Sequence, residues 1–118
     1  MSAPRRTTMH VGVHTDNHIT GHEGLIARVA SEVDSVLAPH EFPLTSVEVH
    51  LADESGGRET AHDMRCIIDA VLEGQPAVVA THHADTLDEA VSGAAHKLAH
   101  VLESRRGRRS GQAARRHA

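Results

Sequence analysis

Apolar positions along the chain recur with two different periods, and the switches between them mark out its elements. Met9, Val11 and Val13 alternate with polar or small residues, so Met9 to His14 reads as a strand. Thr15 to Gly21 is turn-rich. Leu25, Val29, Val33 and then Val36 or Leu37 recur at helical spacing, which predicts a helix from about His22 to Ala38. Thr20 stands as its N-cap, Glu23 three residues on completes a capping box, and Pro39 marks its end. From Leu44 to Ala52, Val47, Val49 and Leu51 face one way while Ser46, Glu48 and His50 face the other, a half-buried strand. Asp53-Glu54-Ser55-Gly56-Gly57 is a turn, Met64 to Leu72 a strand with a more apolar centre, Glu73-Gly74-Gln75-Pro76 a hairpin-type turn, and Ala77 to His83 another strand. The last helix has Asp85 as N-cap and Asp88 and Glu89 in a first turn favoured by the helix dipole. Leu87, Val91, Ala94, Leu98 and Val101 or Leu102 form its apolar stripe, and Gly107 marks its expected end.

The resulting order, β-α-β-β-β-α, predicts an α+β, two-layer domain: a four-stranded, mostly antiparallel sheet with two helices on one face. Val29, Val33, Val49, Ile68, Val79, Val91 and Leu98 are its expected core. The domain should occupy residues 9–109, between a flexible leader, 1–8, and a basic disordered tail, 110–118. A chain of 118 residues is about one domain. With no Trp, no Tyr and one Phe, Phe42, its core must be aliphatic. The single cysteine, Cys66, excludes an internal disulfide and any zinc site needing two thiolates from this chain, and its apolar surroundings read as those of a buried thiol. No apolar run reaches the roughly 18 residues of a membrane span. The N-terminus has no apolar run behind its arginines, so the expected location is cytoplasmic.

Charge changes the picture. The formal net charge is −4. From His96 to Ala118 seven basic residues stand against one acid, a segment of +6; residues 1–95 hold five basic and fifteen acidic residues, a charge of −10. A basic end on an acidic body fits a polyanion partner, of which RNA is the usual one; a solvated tail that aids solubility is the alternative. On the last helix Lys97, His100 and Arg108 fall on one flank beside the apolar stripe, and Arg105, Arg106 and Arg109 lie past its end. Arginine's planar fork suits phosphate. The near-absence of aromatic rings argues against base stacking and for recognition of structured RNA by shape and backbone. The twelve histidines are unusual. His10, His14, His18 and His22 are spaced by four, but across a strand and a turn, where helical spacing has no meaning. His96 and His100 have the spacing of a metal pair on a helix but no third ligand in sequence. No metal or cofactor is therefore assigned, and the histidines read as surface residues. No Gly-rich phosphate loop or nucleophile elbow is present, so neither catalysis nor a small-molecule substrate is expected.

The final third resembles the ribosome hibernation-promoting factor and ribosome-associated inhibitor family. The residues that carry the likeness are Val78-Val79-Ala80-Thr81-His82-His83-Ala84-Asp85, then Thr86-Leu87-Asp88-Glu89-Ala90-Val91, then His96-Lys97-Leu98, Val101-Leu102 and Arg105-Arg106. The element order matches too, as does Thr45-Ser46-Val47-Glu48-Val49-His50-Leu51 for the second strand. The resemblance covers about residues 9–109. It implies binding to rRNA of the small ribosomal subunit in the mRNA–tRNA channel, with translation blocked by steric occlusion. By the same likeness Lys97 and Arg105 match basic positions of the family's last helix, and His100 stands where a basic residue is frequent. Three features depart from the family: the first helix has Ser31, Glu32, Asp34 and Ser35 with Arg28 as its only basic residue, Asp88 replaces a usual aromatic, and the body is acidic. The chain ends about where the shared domain ends, so the dimerising domain of long members is expected to be missing. The alternative reading is a divergent stress-related binding protein of the same fold with a protein or metal partner.

Overall fold

A computed structural model describes residues 10–16, 19, 22–54 and 63–117, with residues 22, 23 and 108–117 described by their backbone alone. The leader, the Thr20–Glu23 capping box and the Ser55–Gly57 part of the expected turn lie outside the described residues.

Strand β1 (His10–Thr15) leads into helix α1 (His22–Leu37) and a single 3-10 turn (Ala38–His40); strands β2 (Leu44–Asp53), β3 (Met64–Leu72) and β4 (Val78–Ala84) come next, then helix α2 (Leu87–His117). The four strands lie in the order β1-β2-β3-β4. β1 runs parallel to β2, because α1 carries the chain back across the sheet between them; β2–β3 and β3–β4 are antiparallel.

The periods predicted these elements because each has one face to bury. On α1, Leu25, Val29, Val33 and Leu37 are all buried and form one stripe. On α2 the buried side is narrow and small, with Ala90, Val91, Ala94, Ala95, Leu98, Ala99 and Leu102. Alanines let the helix lie close to the sheet. Val47, Val49 and Leu51 of β2 and Cys66, Ile68 and Ala70 of β3 complete the aliphatic layer. Cys66 is fully enclosed, and burial pushes its thiol up to about 12, which leaves it inert.

Three expectations are corrected. Val79 is 58% exposed, while Val78 and Ala80 face the helices: in a strand of period two, an assignment shifted by one residue reverses every side chain. The cap of α2 is Thr86, whose Oγ1 accepts the Glu89 N–H at 3.1 Å, and not Asp85. Thr86-Leu87-Asp88-Glu89 has the capping-box pattern, so this signal was present in the sequence. Gly107 does not end α2, which continues as helix to His117. A mid-helix glycine costs only about 1 kcal/mol relative to alanine and stops a helix only when a left-handed cap forms there.

Two local devices set side chains that simple periodicity would misplace. Pairing shifts between Leu44 and Ser46, and this bulge turns Leu44 into the core although it has the parity of the outward Ser46, Glu48 and His50. His82 of β4 faces inward, and its ring lies over Gly93 of α2: a Cβ at residue 93 would stand 2.1 Å from His82 Cδ2.

Candidate nucleic-acid interface

α2 is anchored on β4 and β3 through its alanine-rich face, which leaves Lys97 and Arg106 exposed and Arg105 half-buried along the outer flanks. Lys97 Nζ donates to the Thr81 carbonyl at 2.8 Å, and Arg105 Nη1 donates to the Pro76 carbonyl at 3.0 Å. Both cations therefore lie along the β4 side of the helix. Lys97 covers a backbone oxygen of the edge strand β4, a usual way of blocking edge-to-edge pairing, and Arg105 one of the turn before it. Arg105 keeps further N–H donors beyond this one bond. His100 is exposed. The side chains of Arg108 and Arg109 lie outside the described residues.

Arg106 is differently placed. Nine residues beyond Lys97, it stands about 180° around the helix, toward the 3-10 turn. Its Nη1 donates to the His40 carbonyl at 3.0 Å and its Nη2 to Glu103 Oε2 at 2.6 Å. Its guanidinium lies 4.6 Å from the Phe42 ring centroid, and the Phe42 ring stacks on His40 at 4.9 Å. His40 Nδ1 also reaches Glu103 Oε2, at 2.7 Å. Among the described residues, Lys97 and Arg105 share a side, and Arg106 is tied into a separate cluster that the sequence did not reveal.

That cluster has a measurable pH signature. The His40 hydrogen bond, and then that of Arg106, hold the Glu103 carboxyl below its ordinary value of 4.5. A carboxyl lowered by folding stabilises the fold above its unfolded pKa and loses that contribution as pH falls through the folded value. Glu103→Gln is therefore expected to lower the thermal midpoint relative to the parent at pH 6, with the gap closing as pH drops below 4.5. Thermal unfolding followed by circular dichroism across that range checks this; a gap that persists at low pH would mean that the charge of Glu103 is not what matters.

The groove between the helices carries the opposite sign. Arg28, Ser31, Glu32 and Ser35 of α1 face Asp88, Glu89 and Ser92 of α2 across it. Arg28 Nε and Asp88 Oδ1 pair at 3.3 Å, so Asp88 serves as an interhelix ion-pair partner. With three acids and one base, this groove repels phosphate.

Two further clusters contain groups able to ligate a metal. Ligand atoms of Glu54, Asp63 and His83 lie within 4.8 Å of one another, but Arg65 Nη1 already sits 2.6 Å from Glu54 Oε2 and supplies the compensating positive charge. The second cluster, looser because the ligand atoms of His10, His14 and Glu48 do not all lie within 4.8 Å of one another, surrounds Glu48 on the open sheet face. The His96–His100 pair gains no third ligand among the described residues, and His96 Nδ1 instead donates to the Ser92 carbonyl at 2.8 Å. No described helix is long and apolar enough to cross a membrane.

Comparison with solved structures finds the same fold in other proteins, two of them as follows. A ribosomal subunit interface protein from Coxiella burnetii superposes with a TM-score of 0.68 at 12% identity, covering 84% of this chain and 99% of the other. The N-terminal domain of Protein Y from Thermus thermophilus superposes with a TM-score of 0.64 at 14% identity, covering 81% and 98%. Comparison with curated protein sequences finds no match. Residues 13–110, most of the domain just described, match one family along their sequence, and the chain belongs to that family, the Sigma 54 modulation protein / S30EA ribosomal protein family.

Proposed function

We propose that this protein is a ribosome-associated translation inhibitor of the hibernation type, acting in the cytoplasm by binding and not by catalysis. It occupies the mRNA–tRNA channel of the small subunit and excludes both ligands sterically. Lys97, Arg105, Arg108 and Arg109 meet rRNA phosphates, with His100 beside them and Arg106 in a lesser role because Glu103 already holds it. The observation that carries this reading is the basic run of α2 on a domain of this family. The basic α2 and the acidic interhelix groove together orient the domain, with α2 toward RNA and the groove away from it.

The acidic groove favours a second reading, a binding protein of the same fold whose partner is a basic protein segment. Co-sedimentation with ribosomes at low and high salt separates the two. Phosphate contacts release counterions, so the first reading expects pelleting at low salt that is lost steeply as salt rises. Absence from the ribosome pellet at low salt would rule it out in favour of the second.

A further inference from the structure

The sheet face that the helices leave open collects imidazoles and carboxylates from three strands. Alternation along β1 turns His10, Gly12 and His14 outward, and the parallel register sets them beside Ser46, Glu48 and His50 of β2. Glu48 thus lies opposite Gly12 and between two histidines. The missing side chain at Gly12 is what admits the carboxylate: a Cβ there would stand 2.4 Å from Glu48 Oε1. His14 Nε2 reaches Glu48 Oε1 at 2.6 Å, and His10 Nε2 lies 3.8 Å from Oε2, so one ring approaches each oxygen. The His50 ring stacks on that of His14, with centroids 4.8 Å apart and planes 16° from parallel, and restrains it.

A carboxylate between two imidazoles is attractive to a cation, and the next strand adds to this. Asp69 of β3 is the direct cross-strand partner of Glu48. Its Oδ1 is buried without a hydrogen-bond partner. Two like charges directly opposite across a strand pair repel, and a buried carboxylate oxygen without a partner is costly. A positive ion on this face lessens the repulsion.

We propose that His10, His14 and Glu48 bind one divalent transition-metal ion of the zinc type on the open sheet face, with His50 stacked on His14. The donor set decides the class of ion. Imidazole nitrogens with a carboxylate suit zinc, nickel and copper(II); without thiolates there is nothing to select copper(I), and an all-oxygen shell for calcium is absent. His10, whose side chain is 71% exposed, closes the site by rotating its ring over the carboxylate. Three protein ligands leave further positions to water. The site lies on the sheet face opposite both helices, so it is independent of the proposed RNA contacts.

The test is a calorimetric titration of the purified chain with Zn2+ in a non-chelating buffer at pH 7.5. One saturable ion per chain is expected. His14→Gln and Glu48→Gln should each weaken it by about tenfold or more, whereas His96→Gln, which alters the helical His96–His100 pair, should leave it unchanged. Far-UV circular dichroism confirms that each variant is folded. Because imidazole ligands must shed their protons, affinity should also fall on going from pH 7.5 to 5.5. No saturable binding, equal affinity in the parent and His14→Gln, or an affinity indifferent to pH would each overturn the proposal.

Discussion

Gly93→Ala is expected to destabilise the fold by about 1–3 kcal/mol, the usual cost of forcing extra volume into a packed contact. On helix propensity alone the same change would stabilise α2 by about 1 kcal/mol. Geometry opposes that preference: the new Cβ would lie 2.1, 2.4 and 2.6 Å from Cδ2, Nε2 and Cγ of His82. Because Cγ is among the colliding atoms, no ring rotation clears the contact, and the imidazole or the helix must shift. α2 rests on β4 there, and its neighbours Ala90, Ala94 and Ala95 are buried, so the shift spreads through a close-packed layer. Urea denaturation should show a lower midpoint at unchanged slope. In a double-mutant cycle with His82→Ala, the second substitution should recover part of the loss, giving a coupling well outside additivity. A neutral or stabilised Gly93→Ala would mean that the His82 ring is not seated on the helix.

Replacing Arg105, Arg106, Arg108 and Arg109 together with alanine is expected to weaken ribosome association by at least about tenfold at moderate salt, since each lost phosphate contact also loses its counterion release. The dependence of log affinity on log salt should flatten by about one unit for every contact removed. Thermal stability should change by no more than about 1 kcal/mol, because exposed ion pairs contribute little. The single variants should be unequal. Arg105 makes one bond, to a neutral carbonyl, and keeps its charge available; Arg106 is paired with Glu103 and stacked near Phe42. Arg105→Ala should therefore cost more binding than Arg106→Ala. The reverse order would mean that Glu103 releases Arg106 on the ribosome, and unchanged binding in the fourfold variant would leave the basic run as an aid to solubility only.

Much of the architecture was legible from local patterning. The stripe Leu25, Val29, Val33 and Leu37 and the alternation Val47, Val49 and Leu51 each admit one packed arrangement, because a helix or strand with one apolar face has one side it must bury. The errors fell where two local signals competed. Val78, Val79 and Ala80 are all apolar, so alternation could not choose a face for β4; registry with β3, Ile68 opposite Ala80 and Asp69 opposite Val79, made the choice. Asp85 and Thr86 both cap well, and Thr86 prevailed because the helix begins at Leu87, which puts Thr86 Oγ1 within reach of the Glu89 N–H. Leu44 reached the core through a bulge that strand periodicity does not encode.

The candidate chemistry divides along the same line. The basic character of α2 belongs to a continuous run of sequence, so composition alone determined it, together with the aliphatic core and the unreactive setting of Cys66. Which cations are free, and which are held, depends on residues far away in the chain. Arg106 is bound by His40, which is 66 residues distant, and Lys97 and Arg105 by carbonyls of β4 and the turn before it. The histidines show this most clearly. A spacing of four between His10 and His14 has no helical meaning in a strand, yet strand alternation also places them on one face, and only pairing with β2 brings Glu48 and His50 beside them. Period and propensity act within a few residues, and the sequence therefore determined the elements and their buried faces. Cross-strand neighbours are set by register, which is settled only when the whole core packs, and so the tertiary structure alone decided which side chains meet.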